Sequence, residues 1–253
     1  MANQNQTALV TGGGRGLGKA IALHLAELGF NIVVNHSCEK SRGNAEEVVA
    51  EIMKRGFDAL AIQADVSDSA EVESMFDEVK KRFGSINILV NNAGVYPFKP
   101  GTPTHELPEE EWRKVVDVNL TGSFLCAKAA AKMMIDNGVK GYIVNISSMA
   151  GLDASHAGSH YGASKAGVIS LTKTLAVELG VKGIKVNCVA PGPVPETDLL
   201  KDLSKEKLDK LRDKAALKEF ATADDIAKAV GFFVSSDHIT GQTLLVDGGI
   251  IRH

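Results

Sequence analysis

Tyr161 and Lys165 stand four residues apart in the run Tyr161-Gly162-Ala163-Ser164-Lys165, and Ser148 lies thirteen residues before the tyrosine. A Tyr and a Lys at i and i+4 project from one face of a helix. An ammonium held near a phenol favours the phenolate and lowers the tyrosine pKa from its usual value of about 10. Such a pair can give and take a proton near neutral pH. A serine hydroxyl in the same cleft would hydrogen-bond the oxygen being protonated. Tyr-x-x-x-Lys occurs on many surface helices, so its meaning depends on what else the chain carries.

The chain opens with a glycine-rich loop, Thr11-Gly12-Gly13-Gly14-Arg15-Gly16-Leu17-Gly18. An apolar run, Thr7 to Val10, precedes it, and a helical pattern, Lys19 to Leu25, follows. Glycine permits positive φ and leaves no Cβ between backbone and ligand. The helix start then offers unpaired N–H groups and a partial positive charge to a pyrophosphate. The spacing Gly12-x-x-x-Gly16-x-Gly18 differs from the commoner Gly-x-Gly-x-x-Gly. A lone glycine loop is often only a tight turn; here strand, loop and helix come in the order a dinucleotide site needs.

With these two features the chain resembles the short-chain dehydrogenase/reductases, and most closely their 3-oxoacyl-(acyl-carrier-protein) reductase branch. The matching pieces run nearly end to end. Besides the glycine loop they are Ala64-Asp65, Asn91-Asn92-Ala93-Gly94, Val118-Asn119-Leu120 and Asn145-Ile146-Ser147-Ser148. Tyr161 to Gly167, Val186 to Gly192 and Ile239 to Gly249 complete the set. Eight pieces in order are specific for the family and much less so for a substrate.

The resemblance implies four catalytic residues. Tyr161 would donate a proton to the substrate carbonyl oxygen, and Ser148 would hold that oxygen. Lys165 would bind the nicotinamide ribose and lower the tyrosine pKa, and Asn119 would position a water of the proton relay. The thirteen-residue offset favours Ser148 over its neighbour Ser147. An Asn within a helical pattern can also simply bond to backbone or mark a kink.

The cofactor contacts implied are Gly12, Gly14, Arg15, Gly16, Leu17 and Gly18 in the loop, and His36 and Ser37 after the second strand. Asp65 and Val66 follow the third strand, and Asn92, Ala93 and Gly94 the fourth. Tyr161, Lys165, Pro191, Gly192, Val194 and Thr197 complete the set. Asp65 reads equally as a helix N-cap for Ser67–Phe83.

Charge decides between the two nicotinamide cofactors. NAD-binding domains place an acidic residue about 20 residues beyond the loop, on the ribose 2′-OH. Here the second strand ends Val33-Val34-Asn35-His36-Ser37, and the first acid is Glu39. Arg15 supplies a cation in the loop, with Lys40 and Arg42 near in sequence. NADP (NADPH) is therefore expected, with NAD the second candidate. Many NADP-using relatives carry Ser where this chain has Gly14. The family's Pro-Gly-x-x-x-Thr is one residue longer here, from Pro191 to Thr197, which puts Thr197's contact in question. The stretch Ser235 to Gly241 is shorter than its common family counterpart.

Seven apolar, β-rich runs appear at Ala8–Thr11, Asn31–Asn35, Ala59–Ala64, Ile86–Asn91, Tyr142–Ile146, Lys185–Ala190 and Thr243–Asp247. Helical patterns separate them. This alternation predicts an α/β, doubly wound Rossmann fold: a seven-stranded parallel sheet with helices on both faces. No linker or repeat divides the chain, so 1–253 reads as one catalytic domain, with a loop over the cleft at Pro97–Pro108 and a substrate lid at about 193–218.

Composition fits. The chain has 253 residues, 44% hydrophobic and 23% charged, and a net charge of −3. No basic block suggests nucleic acid, and no apolar run nears the roughly 18 residues of a membrane span. The polar start, Met1 to Gln6, shows no signal peptide, and Cys38, Cys126 and Cys188 read as buried free thiols of a cytoplasmic protein. No metal is expected: His156 and His160 lack a third ligand and read as a loop pair. Asn91 and Asn92 are read as ties between strands, Asp247-Gly248-Gly249 as a turn, and Trp112 and Phe232-Phe233 as core or subunit interface.

The resemblance implies NADPH-dependent reduction of a 3-oxoacyl thioester by a homotetramer, with a dimer as the second candidate and helical packing surfaces at Phe124–Ala131 and Val168–Val177. Lys140, Lys182 and Lys185 are the basic residues on offer to an acidic acyl-carrier protein, and read equally as a solvated face. Another ketone or alcohol, such as a sugar or steroid, with NAD is the alternative; a non-catalytic dinucleotide-binding regulator is the alternative of another class.

Overall fold

The seven apolar runs form seven strands: β1 (Thr7–Val10), β2 (Asn31–His36), β3 (Ala59–Gln63), β4 (Ile88–Asn91), β5 (Tyr142–Ile146), β6 (Lys185–Pro191) and β7 (Thr243–Val246). The computed structural model describes residues 6–97, 99–195 and 205–252, without the side chains at 205 and 207. All strand pairs are parallel, in the order β3-β2-β1-β4-β5-β6-β7. Helices connect them: α1 (Gly16–Glu27), α2 (Glu39–Lys54), α3 (Ser69–Phe83), α4 (Glu109–Val116), α5 (Gly122–Asp136), α6 (Ser159–Gly180), α7 (Lys205–Lys214) and α8 (Ala223–Val234).

Both faces of the sheet are covered, which is why its strands read as continuous apolar runs. Successive strand residues point to opposite faces. Ala8, Val10, Ile32 and Val34 join one core with Ile21, Leu25 and Phe233 of α1 and α8. Leu9 and Val33 join the other with Met75, Phe76 and Met134 of α3 and α5. The strand order reverses between β1 and β4, and in such sheets the crevice at the carboxyl ends beside that switch takes the ligand. The glycine loop leaves β1 there, and Asn92-Ala93-Gly94 leaves β4 beside it.

Three local expectations change. The cap of α3 is Asp68, whose Oδ1 accepts from the Ala70 and Glu71 amides at 2.8 and 3.0 Å. Asp65 instead accepts from the Ser67 amide and hydroxyl at 2.9 and 2.6 Å, an Asx turn ahead of the helix. Cys126 and Cys188 are buried, but Cys38 is exposed at the N-cap of α2. Lys140, Lys182 and Lys185 sit at the amino ends of β5 and β6, the end away from the candidate site. Lys185 pairs there with Asp237 at 3.3 Å, so none of the three lies beside the cleft.

Of the stretch 193–218, residues 196–204 and therefore Thr197 lie outside the described residues. Among the described residues no helix is long and apolar enough to cross a membrane.

Candidate active site

The glycine loop is held from three sides. Gly12 and Gly16 take φ of 61° and 52°, values open to glycine at little steric cost. Asn35 is buried at the end of β2; its Oδ1 accepts from the Gly12 amide at 3.1 Å and its Nδ2 donates to the Ala64 carbonyl at 2.9 Å. Thr11 Oγ1 accepts from the Asn92 and Ala93 amides at 3.0 and 2.9 Å, and Asn92 Nδ2 donates to the Thr11 carbonyl at 2.8 Å. A Cβ on Gly18 would stand 2.2 Å from the Gly12 carbonyl oxygen, so only glycine lets α1 start this close to β1. A Cβ on Gly14 would meet the Ala45 amide at 3.0 Å; packing against α2 is what this position provides in place of a serine hydroxyl.

Arg15 is exposed at the N-cap of α1 and Leu17 is half-buried beside it. His36, at the end of β2, is buried, with Nδ1 3.1 Å from the Cys38 carbonyl, while Ser37 is exposed. Val66 is buried against Gly122, where a Cβ would approach its Cγ2 to 2.7 Å. Arg42 is drawn along α2 by Glu46 at 2.8 Å and Glu39 at 3.6 Å.

At the centre, Ser148, Tyr161 and Lys165 converge from the end of β5 and the first two turns of α6. Ser148 is near enough to the Tyr161 phenol to act on its pKa, and its Oγ accepts from the Ala150 amide at 3.2 Å. Ser147 is committed elsewhere, donating to the Lys165 carbonyl at 2.7 Å. Lys165 donates to the Ile146 carbonyl at 3.0 Å. Asn119 sits in a π-helical turn, Asp117–Thr121, between α4 and α5. Its Oδ1 accepts from the Val95 amide at 2.7 Å, and its Nδ2 donates to the Val95 carbonyl at 3.1 Å. The structure shows the backbone-bonding reading of that Asn, within an irregular turn of a kind often found at functional positions.

The expected lowering of the tyrosine pKa is not what this arrangement gives. Burial pushes the Tyr161 phenol up to about 12, against the lowering effect of nearby Ser148. Burial also brings the Lys165 ammonium down to about 8. Desolvation disfavours the charged form of each group and is the largest cause of both shifts.

Sequence reasoning passed over Tyr96, which packs edge-on to Tyr161 with ring centroids 5.2 Å apart. Its one signal was an aromatic two residues after the Asn-Asn-Ala-Gly run. Asn35 was likewise passed over, since a polar residue in an apolar strand is visible but its partner is not.

A gap lies between Gly94, Asn119 and Lys165. A Cβ on Gly94 would come within 3.2 Å of Asn119 Oδ1 and 3.6 Å of Lys165 Nζ. With the glycine loop, it forms a bare-backbone cradle of the kind a dinucleotide needs. Pro191 and Gly192 continue the rim, with Gly192 donating to the Val246 carbonyl at 2.8 Å, and Val194 is buried beyond them. A separate cavity of about 730 Å³ opens between the loop at 101–104 and α6, and none of Asn119, Ser148, Tyr161 and Lys165 lines it. Asp247 closes the β7 turn, accepting from the Gly249 and Ile251 amides at 2.8 Å each. Asn91 ties β4 to β5 through Asn145 Oδ1 at 2.9 Å. Trp112 and Phe232 are partly exposed, whereas Phe233 is core. His160 is fully buried on α6, so it does not form a loop pair with His156. Among the described residues no group of three or more His, Cys, Asp or Glu could hold a metal ion.

A family model described as enoyl-(acyl carrier protein) reductase matches residues 12–251. A 3-oxoacyl-(acyl-carrier-protein) reductase of Staphylococcus epidermidis is 42% identical over 248 residues, 97% of this chain and 99% of the relative. Glucose 1-dehydrogenase 2 of Bacillus subtilis is 36% identical over 247 residues, covering 97% and 94%. Among solved structures, one titled a putative gluconate dehydrogenase from Agrobacterium tumefaciens superposes with a TM-score of 0.91 at 33% identity, covering 98% and 97%.

Proposed function

Because the chain belongs to the short-chain dehydrogenase/reductase family, whose members act on CH–OH groups, we propose that it reduces a 3-oxoacyl thioester to the 3-hydroxyacyl thioester with NADPH. The observation that carries the chemistry is the buried pair Tyr161 and Lys165, with Lys165 Nζ 5.8 Å from the Tyr161 ring centroid and Ser148 acting on the same phenol. The substrate class rests on likeness to the staphylococcal reductase along nearly the whole of both chains.

The nicotinamide, when bound, supplies the hydride. The residues that would hold it are those of the glycine loop, with Arg15 toward a 2′-phosphate, and Asn92, Ala93, Gly94 and Lys165 toward the nicotinamide ribose. His36, Ser37, Asp65 and Val66 would flank the adenosine. Pro191, Gly192 and Val194 would cover the nicotinamide.

Tyr161 is the proton donor, because a phenol held up to about 12 keeps its proton at working pH. Ser148 orients the carbonyl oxygen and stabilises charge developing on it. The charged Lys165, buried within reach, stabilises the phenolate that remains. Asn119, through its π-turn, holds the Val95 backbone and lines the route by which Tyr161 regains a proton.

The assembly is a cytoplasmic homotetramer. Phe124 on α5 and Val177 on α6 are 44% and 79% exposed, apolar groups available for helix packing between subunits. An acyl-carrier protein would deliver the substrate.

A ketone panel tests this reading. NADPH oxidation with an acetoacetyl thioester is expected to exceed that with sugar lactones and steroid ketones. Faster NAD reduction with glucose would replace it with the sugar dehydrogenase reading, which the Bacillus relative favours.

A further inference from the structure

His160 directly precedes Tyr161 on the first turn of α6 and is fully buried, yet neither ring nitrogen has a hydrogen-bond partner. Its Nε2 lies 3.5 Å from Glu111 Oε1 on the first turn of α4, and that oxygen is also buried without a hydrogen-bond partner. Buried polar atoms left in this state cost free energy, so a site that keeps two such groups face to face calls for an explanation. The chain makes room for the ring. Gly158 takes φ of 116°, and a Cβ there would stand 2.7 Å from His160 Cε1.

The place is as telling as the contact. One turn beyond Glu111 on α4, Val115 packs in one buried cluster with Ala157 and Tyr161. Four residues beyond Val115, the π-turn holds Asn119. The His160–Glu111 contact therefore joins the helix that leads to Asn119 to the helix that carries Tyr161, Ser164 and Lys165.

On the reading of Tyr161 as proton donor, we propose that His160, through Glu111, is a positioning residue that sets the angle at which the Tyr161 hydroxyl meets the substrate oxygen. The imidazole N–H donates toward the carboxylate, and this contact shortens to hydrogen-bond length as the substrate complex forms, as long contacts in free enzymes commonly do. The apolar Val115–Tyr161 packing fixes the depth of the helix, and the polar contact fixes its rotation.

The test uses the whole enzyme with NADPH and acetoacetyl-coenzyme A. His160→Phe keeps a ring of similar size and removes the N–H. Its kcat should fall at least tenfold, with the NADPH dissociation constant within twofold of wild type and Tm within about 4 °C. His160→Gln, which can donate from the same region, should recover most of that loss. Glu111→Leu should lose as much as His160→Phe, and the double variant should lose no more than either alone.

Wild-type kcat in His160→Phe, or losses that multiply in the double variant, would overturn the inference. So would a His160→Gln variant as slow as His160→Phe. If His160→Phe does not fold, Glu111→Leu decides alone, because that side chain is partly exposed: unchanged kcat overturns the proposal. Tyr161→Phe is run alongside. Activity retained there removes the underlying reading, whereas loss there with full activity in His160→Phe removes only this inference.

Discussion

Lys165 Nζ stands 5.8 Å from the centroid of the Tyr161 ring and donates to the Ile146 carbonyl at 3.0 Å. The lysine thus stands beside the tyrosine ring while a backbone oxygen holds it in place. Burial, not the ammonium, sets the resting state of the phenol, which is pushed up to about 12. A proton donor for reduction gains from this, because it stays loaded. Lys165, lowered to about 8 by the same burial, loses its charge first as pH rises. Reduction should therefore hold steady toward pH 7 and slow as pH passes about 8. A pH–rate series on kcat checks this. In Lys165→Ala the alkaline fall should vanish along with most of the turnover; a retained fall near the same pH would assign it to another group.

The same lysine is a stability cost. Its pKa of about 8 in the fold lies below the ordinary 10.5. Between those values the unfolded chain binds the proton and the folded chain does not, so this group makes stability rise with pH there. Below pH 8 the full penalty of the buried charge is present. Lys165→Met should therefore be more stable than wild type at pH 7, by about 1–3 kcal/mol after losing the bond to Ile146. The advantage should shrink as pH climbs toward 10.5. Thermal melts of both proteins across that range measure it. A variant less stable than wild type at pH 7 would show that the Ile146 hydrogen bond outweighs desolvation.

Much of the architecture was legible because it follows from period and order. Apolar runs with helical patterns between them allow few arrangements, and a sheet buried on both faces leaves a strong mark in strands such as Asn31–His36. What was not legible lay in partners distant along the chain. Asp65 and Asp68 both suit a helix start, and only the backbone path shows that Asp68 caps while Asp65 turns. Spacing shows that Tyr161 and Lys165 share a face, but it carries no information on how much protein surrounds them. The direction of the tyrosine shift was therefore misjudged. Lys140, Lys182 and Lys185 cluster in composition, yet the parallel sheet places them at the end away from the chemistry.

Two glycines should behave in opposite ways. Gly18→Ala would force a Cβ to within 2.2 Å of the Gly12 carbonyl, a backbone atom with no rotamer to escape into. Cofactor affinity should fall by at least tenfold, and Tm should fall with it. Gly43 lies inside α2 with nothing within 4 Å of a Cβ placed there. Gly43→Ala should stabilise by about 0.5–1 kcal/mol through helix propensity, raising Tm by a few degrees with kinetics unchanged. Urea titration of both variants separates the outcomes. Destabilisation by Gly43→Ala would mean that the folded state needs this glycine's freedom.

On the proposed reading, cofactor preference rests on charge at the exposed end of the glycine loop. Arg15 is exposed at the start of α1, and β2 ends in His36 and Ser37 with no acid before Glu39. A charge-assisted hydrogen bond to a 2′-phosphate is worth roughly 1.5–3 kcal/mol, about tenfold to a hundredfold in affinity. Arg15→Ala should therefore weaken NADPH by that factor and leave NADH within about threefold. Arg42 makes a useful control, because Glu46 and Glu39 already hold it at 2.8 and 3.6 Å. Arg42→Ala should move the NADPH to NADH ratio by much less than Arg15→Ala does. Dissociation constants for both cofactors, measured at one fixed ionic strength because exposed charges are screened, give the ratio directly. Equal wild-type affinity for NADH and NADPH, or a ratio unmoved by Arg15→Ala, would make NAD the cofactor and remove the role assigned to this arginine.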